Sequence, residues 1–160
     1  MERFLSTISG RLDGKGRLSV PAPFRAVLEA DGYPGLFVHQ ALDMSALDCG
    51  GRRLLAGIDA LIDRYPPYSE ERDLMATALL GGSETVKLDP EGRILLSERF
   101  KTYAGITGDV IFVGLGEKFR LFEPTRFQAH LDEAKSKVRM VRAQLSGGNR
   151  AGTTSGERET

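Results

Sequence analysis

The sequence predicts an α+β, β-rich fold in which two tandem copies of a small β module pair as an intramolecular pseudo-dimer, with helices between and after them. One short motif occurs twice, and apolar residues alternate on both sides of each copy, which is typical of half-buried strands. The chain has 160 residues and 41% hydrophobic content, enough for one sizeable core or two small ones. Because a module of roughly 45 residues is too small to be comfortably stable alone, we expect the two copies to share one core.

The repeat organises the chain. Residues 12–20 (LDGKGRLSV) and 88–96 (LDPEGRILL) align without a gap. The match continues at later positions: Phe24-Arg25 with Phe100-Lys101, and the β-rich run 36–38 with 110–113. This indicates a tandem duplication, and each half is predicted as strand, turn, strand, short helix and strand. The Asp-x-x-Gly-Arg ending suits a tight turn because glycine adopts conformations that other residues resist, while aspartate can hydrogen-bond its own turn.

Two helices are predicted between the halves. Residues 52–63 place Leu55, Ile58 and Ile62 on one face, and residues 69–80 begin with a serine followed by acidic first-turn residues. A third helix opens after the second half, and its apolar residues recur at spacings of four and three, like a coiled-coil seam. This third helix either covers the protein's own core or forms a subunit contact.

The last residues, 146–160, contain no large apolar side chain and are predicted to be disordered. The predicted domain boundaries are 1–51 for the first β module, 52–82 for the connecting helices, 83–126 for the second β module, 127–145 for the C-terminal helix and 146–160 for the tail.

Composition excludes several functional classes. Cys49 is the only cysteine, and the two histidines, His39 and His130, lie far apart, so we expect no intrachain disulfide, catalytic triad or structural zinc site. Phosphate-loop, hydrolase-elbow and metalloprotease motifs are missing from the sequence, so we expect neither enzyme activity nor a cofactor. No apolar stretch approaches the roughly 20 residues that span a bilayer, and the first residues do not form a secretory signal. We therefore expect a cytoplasmic location without membrane partners.

Charge is balanced in total but segregated along the chain. There are 22 basic and 22 acidic side chains, yet residues 1–25 carry five basic against two acidic ones and residues 59–73 carry two against five. The N-terminal region is therefore basic, and local distribution matters more than the total for contacts with phosphates.

The repeated Asp and Arg residues are candidates for fixing the shape of the two turns. A spacing of four across a turn brings a carboxylate near a guanidinium, and a duplicated module needs the same turn twice. On this interpretation Asp13, Asp89 and Arg93 are mainly loop-stabilising residues.

The first turn displays more positive charge than the second. The first region carries Arg11, Gly14, Lys15, Gly16 and Arg17, and the second carries Pro90 and Glu91 at the positions equivalent to Gly14 and Lys15. Arginine suits guanine edges and lysine suits phosphates, while glycine lets the backbone approach a duplex. Arg11, Lys15, Gly16 and Arg17 are therefore candidate contacts to double-stranded DNA; the alternative is a solvated basic surface.

Together with the run 114–127 (GLGEKFRLFEPTRF), the two turns closely resemble the MraZ family of bacterial transcriptional regulators over roughly residues 1–140. The resemblance implies two AbrB-like (SpoVT-type) modules of the swapped-hairpin or β-barrel kind. It also implies a ring-shaped homo-oligomer, located in the cytoplasm at the nucleoid, that binds tandem promoter repeats upstream of the division and cell-wall gene cluster, mostly as a repressor. In such a protein the basic first turn reads the DNA, through Lys15 and Arg17 with Arg11 as a neighbour.

The chain departs from the family pattern in places. Residues 46–51 replace an aromatic-rich strand ending like that at 120–122, so the two cores are not expected to be symmetric. Ser97 stands where the first repeat has Pro21, and the acidic second turn is not expected to contact DNA. A second class of function stays open, a protein-binding, antitoxin-like or scaffold module that uses the helix from Pro124 to Leu145.

Overall fold

The computed structural model describes the backbone of residues 2–159 and the side chains of residues 2–147. The elements follow one another as β1 (Thr7–Arg11), β2 (Arg17–Ser19), α1 (Ala22–Asp31), β3 (Leu36–Gln40), β4 (Leu47–Gly50), α2 (Arg52–Ile62), α3 (Glu70–Ala76), a π-helical turn (Thr77–Gly81), β5 (Glu84–Val86), β6 (Arg93–Leu95), α4 (Glu98–Ala104), β7 (Asp109–Gly114), β8 (Phe119–Phe122) and α5 (Pro124–Glu159). The fold is α+β and rich in antiparallel strands, as the sequence predicts.

Strands from the two halves are interleaved in the sheets. Within the described residues, one sheet has the strand order β1-β7-β8-β4-β3-β5, and β2 pairs with β6 in a separate two-stranded ribbon. The hairpins β3–β4 and β7–β8 are local, whereas the pairs β1–β7, β2–β6, β3–β5 and β4–β8 each join one half to the other. The strands that flank each Asp-x-x-Gly-Arg turn therefore pair with the opposite half and not with each other. This interleaving confirms the predicted pseudo-dimer.

The two halves share one hydrophobic core. Leu18 and Ile94 occupy equivalent repeat positions, face each other across the β2–β6 ladder and are almost fully buried. The next equivalent pair, Phe24 and Phe100, is also buried, and the ring of Phe24 packs edge-on against that of Phe4. Burying a large apolar side chain stabilises a fold by roughly 1.5–3 kcal/mol. Each half thus completes the core of the other.

A second apolar cluster lies under α2 and has no counterpart in the second half. It consists of Phe37, Leu54, Ile58, Ile62 and Leu79. Leu55, which the sequence predicts on the same face as Ile58 and Ile62, is half-buried and packs against this cluster, whereas the more deeply buried Leu54 was not predicted. Both residues are at a helical spacing from Ile58, so the periodicity alone does not show which of them is buried more deeply.

The second connecting helix begins as predicted and ends differently. Ser69 is its N-cap, and the Ser69 hydroxyl accepts the backbone N–H of Arg72 at 3.2 Å. The α-helix stops at Ala76 and continues as the π-helical turn Thr77–Gly81, where the sequence predicted regular helix up to residue 80.

Helix α5 belongs to a separate compact unit that starts at Thr125. Val138, Val141 and Leu145 of the predicted seam are exposed, and Lys137 pairs with Glu133 at 2.7 Å. The tail predicted to be disordered, 146–160, consists almost entirely of residues whose side chains lie outside the described part. This tail and the predicted domain boundaries stay predictions. In the part of the chain that is described, no helix combines the length and the apolar character needed to cross a lipid bilayer.

Candidate nucleic-acid interface

The first loop, residues 12–17, is closed by the Asp13 carboxylate. Its Oδ1 accepts the backbone N–H groups of Lys15 at 2.8 Å and Arg17 at 2.9 Å, and its Oδ2 accepts Arg17 Nε at 2.7 Å. The Asp13 N–H donates to the Arg17 carbonyl at 2.9 Å, and the Gly16 N–H donates to the Asp13 carbonyl at 3.0 Å. Gly16 has a φ of +79°, which would strain a residue with a side chain. The loop is therefore a closed unit that holds Lys15 and Arg17 in place.

The second loop, residues 88–93, repeats this geometry. Asp89 Oδ1 accepts the backbone N–H groups of Glu91 and Arg93, both at 2.9 Å, and Oδ2 accepts Arg93 Nε at 2.8 Å. Gly92 has a φ of +79°, as Gly16 does. Both Asp–Arg pairs that the repeat predicts are present. Arg17 therefore bonds the closing aspartate as Arg93 does, although the sequence interpretation named Arg17 only as a candidate DNA contact.

Hydrogen bonding keeps both carboxylates ionised. The backbone N–H of Arg17 has the largest effect on Asp13 and, with the Arg17 guanidinium and the Lys15 N–H, lowers the Asp13 pKa from 3.8 to about 2. The pKa of Asp89 is lowered for the same reason, chiefly by the backbone N–H of Arg93. Each loop therefore keeps its negative closing group at neutral pH.

The charges that the two loops display are different. In the second loop, Arg93 Nη2 forms a further ion pair with Glu91 Oε2 at 2.5 Å. In the first loop, Lys15 stands at the position of Glu91, is exposed, and has no ion pair among the described residues. The Arg17 side chain is 33% exposed and bonds Asp13 through Nε, which leaves its two Nη groups for a ligand. The first loop thus leaves arginine Nη groups accessible, whereas in the second loop an Nη group of the equivalent Arg93 is paired with Glu91.

Arg11 lies just before the first loop, at the end of β1. Its Nη1 pairs with Asp109 Oδ1 at 2.8 Å, across the β1–β7 ladder, and its side chain is 71% exposed. This pair joins residues 98 positions apart and was not foreseen from the sequence. Arg11 is accessible, but Asp109 engages one of its Nη groups, whereas Asp13 engages only Nε of Arg17, so Arg11 is a weaker candidate than Lys15 or Arg17.

Each loop is fixed to the opposite half of the chain. The Leu96 N–H donates to the Gly16 carbonyl at 3.1 Å, and the Val20 N–H donates to the Gly92 carbonyl at 2.9 Å. These bonds extend the β2–β6 ribbon at both ends, so the loops sit on one rigid support.

Two further cations lie beside the loops. Arg25 of α1 packs over Gly92, and Lys101 Nζ of α4 lies 3.5 Å from where a Cβ on Gly16 would be. Lys101 pairs with Glu98, whereas Arg25 Nε is buried without a hydrogen-bond partner among the described residues. The sequence interpretation did not assign either cation to the site. Their equivalent positions in the repeat are the sequence feature that could have pointed to Arg25 and Lys101.

Other chemistry is not assembled in the described part of the chain. No group of three or more His, Cys, Asp and Glu side chains is arranged there to hold a metal ion. Cys49 is buried, and burial raises its thiol pKa well above the ordinary value, so the reactive thiolate is disfavoured. The site with accessible, preorganised charge is the first loop.

Comparisons with known proteins cover nearly the whole chain. A family model described as "MraZ protein, putative antitoxin-like" matches residues 79–145. A protein named Transcriptional regulator MraZ from Methylocella silvestris is 58% identical over 146 residues, which is 91% of this chain and 89% of the relative. Proteins of the same name from Azorhizobium caulinodans and Rhizobium meliloti are 55% and 39% identical, over 98% and 90% of this chain and 100% of each relative. The chain belongs to the MraZ family.

Membership confirms the resemblance carried by the two loops and the run 114–127. The match to the Azorhizobium MraZ extends over 157 residues and so includes both loops, whereas the family model reaches only the second. The swapped β architecture is consistent with the MraZ fold. The family name assigns no role to any residue, and the roles within this MraZ chain follow from the geometry of its loops.

Proposed function

We propose that this MraZ-family chain is a transcriptional regulator that binds double-stranded DNA sequence-specifically, mainly as a repressor. Its targets are short repeated sites upstream of the division and cell-wall gene cluster, as the family resemblance implies, and it acts at the nucleoid in the cytoplasm. The relatives are named Transcriptional regulator MraZ. The observation that carries the proposal is the first loop, where Lys15 and Arg17 offer accessible cationic donors on a rigid support. The proposal includes no catalytic or cofactor role.

The first loop has the chemistry for entering a groove. The Nη groups of Arg17 suit the O6 and N7 acceptors of guanine, and the Lys15 ammonium suits a phosphate. Gly14 has open space on its side-chain side, and Gly16 carries no side chain, so the backbone can approach the duplex. In this proposal Asp13, Asp89 and Arg93 stabilise loop shape, and Arg11 adds a peripheral contact. Arg17 then has two roles, because the same side chain closes the loop and contacts the base.

A ring-shaped homo-oligomer would explain binding to repeated sites. Several first loops on one assembly make later contacts intramolecular, which raises affinity without new chemistry. The exposed apolar residues of α5, Val138, Val141 and Leu145, supply a surface suited to contact between subunits. Repeated DNA sites and a repeated binding surface then match each other.

A second candidate function is a protein-binding, antitoxin-like module. It is favoured by the description of the matching family model and by the same exposed α5 residues. Purification of the native assembly separates the two candidates. A tight protein partner together with no retention on DNA would support the second, and retention on DNA with no such partner would support the first.

The test of the proposed function compares matched variants of the two loops. Arg17→Ala and Arg93→Ala each remove the guanidinium that bonds the closing aspartate of a loop. Affinity is measured by fluorescence anisotropy on a duplex from upstream of the protein's own gene cluster, and stability by urea unfolding. We expect Arg17→Ala to lose binding by about tenfold or more, in line with roughly 1–3 kcal/mol for a bidentate base contact, and Arg93→Ala to bind like the unchanged protein.

Salt dependence supplies an independent check. Phosphate contacts release counterions, so log affinity should fall with log salt with a slope of about −0.9 per phosphate neutralised. A flat salt response, or equal loss of binding in the two alanine variants, would contradict the proposal. Equal destabilisation with unequal binding would support it.

A further inference from the structure

A cavity lined by residues of both halves of the chain has no part in the proposed DNA contact. It has a volume of about 270 Å³ and opens between α2, the β3–β4 connection and the turn before β8. One wall carries the polar residues His39, Asp48, Lys118 and Arg120, and the other carries the apolar residues Leu54, Ile58, Leu61 and Leu79. Apolar walls with a few convergent polar groups are the usual make-up of a small-molecule site, and the volume is just under the roughly 300–1,000 Å³ of drug-sized sites.

A buried carboxylate stands at the centre of the polar wall. The Asp48 side chain is 4% exposed and accepts Arg120 Nε at 2.6 Å and Lys118 Nζ at 3.0 Å. Burial acts to raise the Asp48 pKa, but Arg120 and Lys118 outweigh it and the pKa is lowered, so the group stays ionised. One negative charge thus meets two positive charges, and the wall keeps a surplus of one positive charge.

The surplus cations have donors without good acceptors. Arg120 bonds Asp48 through Nε and, at 3.3 Å, through Nη2, whereas its Nη1 points at the Met44 sulfur at 3.2 Å, and a thioether is only a weak acceptor. The Lys118 ammonium has three donors and a single hydrogen bond among the described residues, to Asp48. The Arg120 and Lys118 side chains are 14% and 26% exposed, so these donors are partly shielded from bulk water and face the cavity. Donors that are partly shielded from water and lack a strong acceptor favour an anion, because leaving such donors unmatched is costly.

We propose that this cavity binds a small organic monoanion. Its negative group bonds Lys118 Nζ and Arg120 Nη1, and its apolar part packs against Leu54, Ile58, Leu61 and Leu79. Such a ligand completes the charge balance of the wall and supplies acceptors that the protein lacks there. The inference goes beyond the proposed DNA contact and does not depend on it.

The two acidic residues at the rim do not reverse this preference. Asp43 and Glu117 line the cavity but are exposed. Their charges act through water and dissolved salt, which weaken an interaction several-fold relative to partly buried groups. The sign of the preferred ligand is therefore set by Lys118 and Arg120, deeper in the wall.

The experiment adds benzoate as the probe to the intact protein and measures its binding by ligand-observed saturation-transfer NMR. Benzylamine, which has the same ring and the opposite charge, is the matched ligand control. We expect a response to benzoate and none to benzylamine. Lys118→Gln, which leaves the Arg120–Asp48 pair in place, should weaken benzoate binding by about tenfold, the size expected for one charge-assisted hydrogen bond.

A second variant tests the location without touching the charges. Gly57 lines the cavity from α2, and a Cβ there would lie 3.9 Å from Glu117 Oε1, an ordinary contact, so a larger side chain can start at this position and Gly57→Leu should occupy cavity volume. Ala60→Leu, at an exposed position of the same helix, is the control. We expect Gly57→Leu to abolish the benzoate response and Ala60→Leu to keep it. Equal responses to the two probes, no response to benzoate, or unchanged binding in Gly57→Leu would each overturn the proposal.

Discussion

The first and second loops close in the same way and display opposite charges. The Arg Nε to Asp Oδ2 distance is 2.7 Å in one and 2.8 Å in the other, and both glycines have a φ of +79°. Between these shared residues, the first loop has Gly14-Lys15 and the second has Pro90-Glu91. The comparison teaches that Asp, Gly and Arg set the shape of the loop, while the two positions between Asp and Gly set what the loop offers to a partner. A duplicated scaffold can therefore keep two identical supports and use only one for binding.

The two glycines give the largest expected difference in stability. A Cβ on Gly92 would overlap the Arg25 guanidinium, whose Nε is buried, whereas a Cβ on Gly16 would lie 3.5 Å from Lys101 Nζ, an ordinary contact. Gly16→Ala should cost about 1–2 kcal/mol of unfolding free energy, for the left-handed backbone alone. Gly92→Ala should cost about 1 kcal/mol more, because Arg25 must also move. Urea unfolding measures both, and equal losses would show that Arg25 yields freely.

Changing the exposed charge of each loop should affect DNA affinity to different extents. Lys15→Glu replaces a proposed phosphate contact by a repulsive charge, and we expect it to weaken binding by about tenfold or more and to reduce the salt slope by about 0.9. Glu91→Gln removes the displayed acid of the second loop and should change affinity by less than about twofold, as expected for surface charges outside the contact. Anisotropy titrations at several salt concentrations measure both. If Glu91→Gln changed the affinity more than Lys15→Glu, the DNA contact would lie at the second loop, and the proposal would be wrong.

Acid pH should act on both loops by the same mechanism and give the smallest effect. The Asp13 pKa is lowered from 3.8 to about 2, so this carboxylate stabilises the folded state above pH 3.8 and loses that contribution as the pH falls towards 2. Asp89 is lowered in the same direction. Carboxyl carbon NMR should find the Asp13 midpoint near pH 2, and Asp13→Asn should lessen the loss of stability over this interval. A midpoint near the ordinary value would mean that the loop is open in solution.

Much of this description could be predicted from residues that are near in sequence. The repeat, the Asp–Arg pairs of both loops, the Ser69 cap and the third helix all depend on contacts within a few positions. The pairing of Arg11 with Asp109, the position of Arg25 and Lys101 beside the loops, and the deep burial of Leu54 were missed. Each of these depends on which distant strand or helix is adjacent, and a local pattern does not contain that information.

The sequence by itself determined that this protein is a duplicated β module with one basic and one acidic loop, because turn chemistry and charge are properties of neighbouring residues. The tertiary structure alone decided that every flanking strand pairs with the other half and that Asp48, Lys118 and Arg120 meet at one cavity. The physical reason is that each half is too small to bury its own apolar face. The chain therefore gains stability by exchanging strands, and this exchange brings together side chains that are about 70 positions apart.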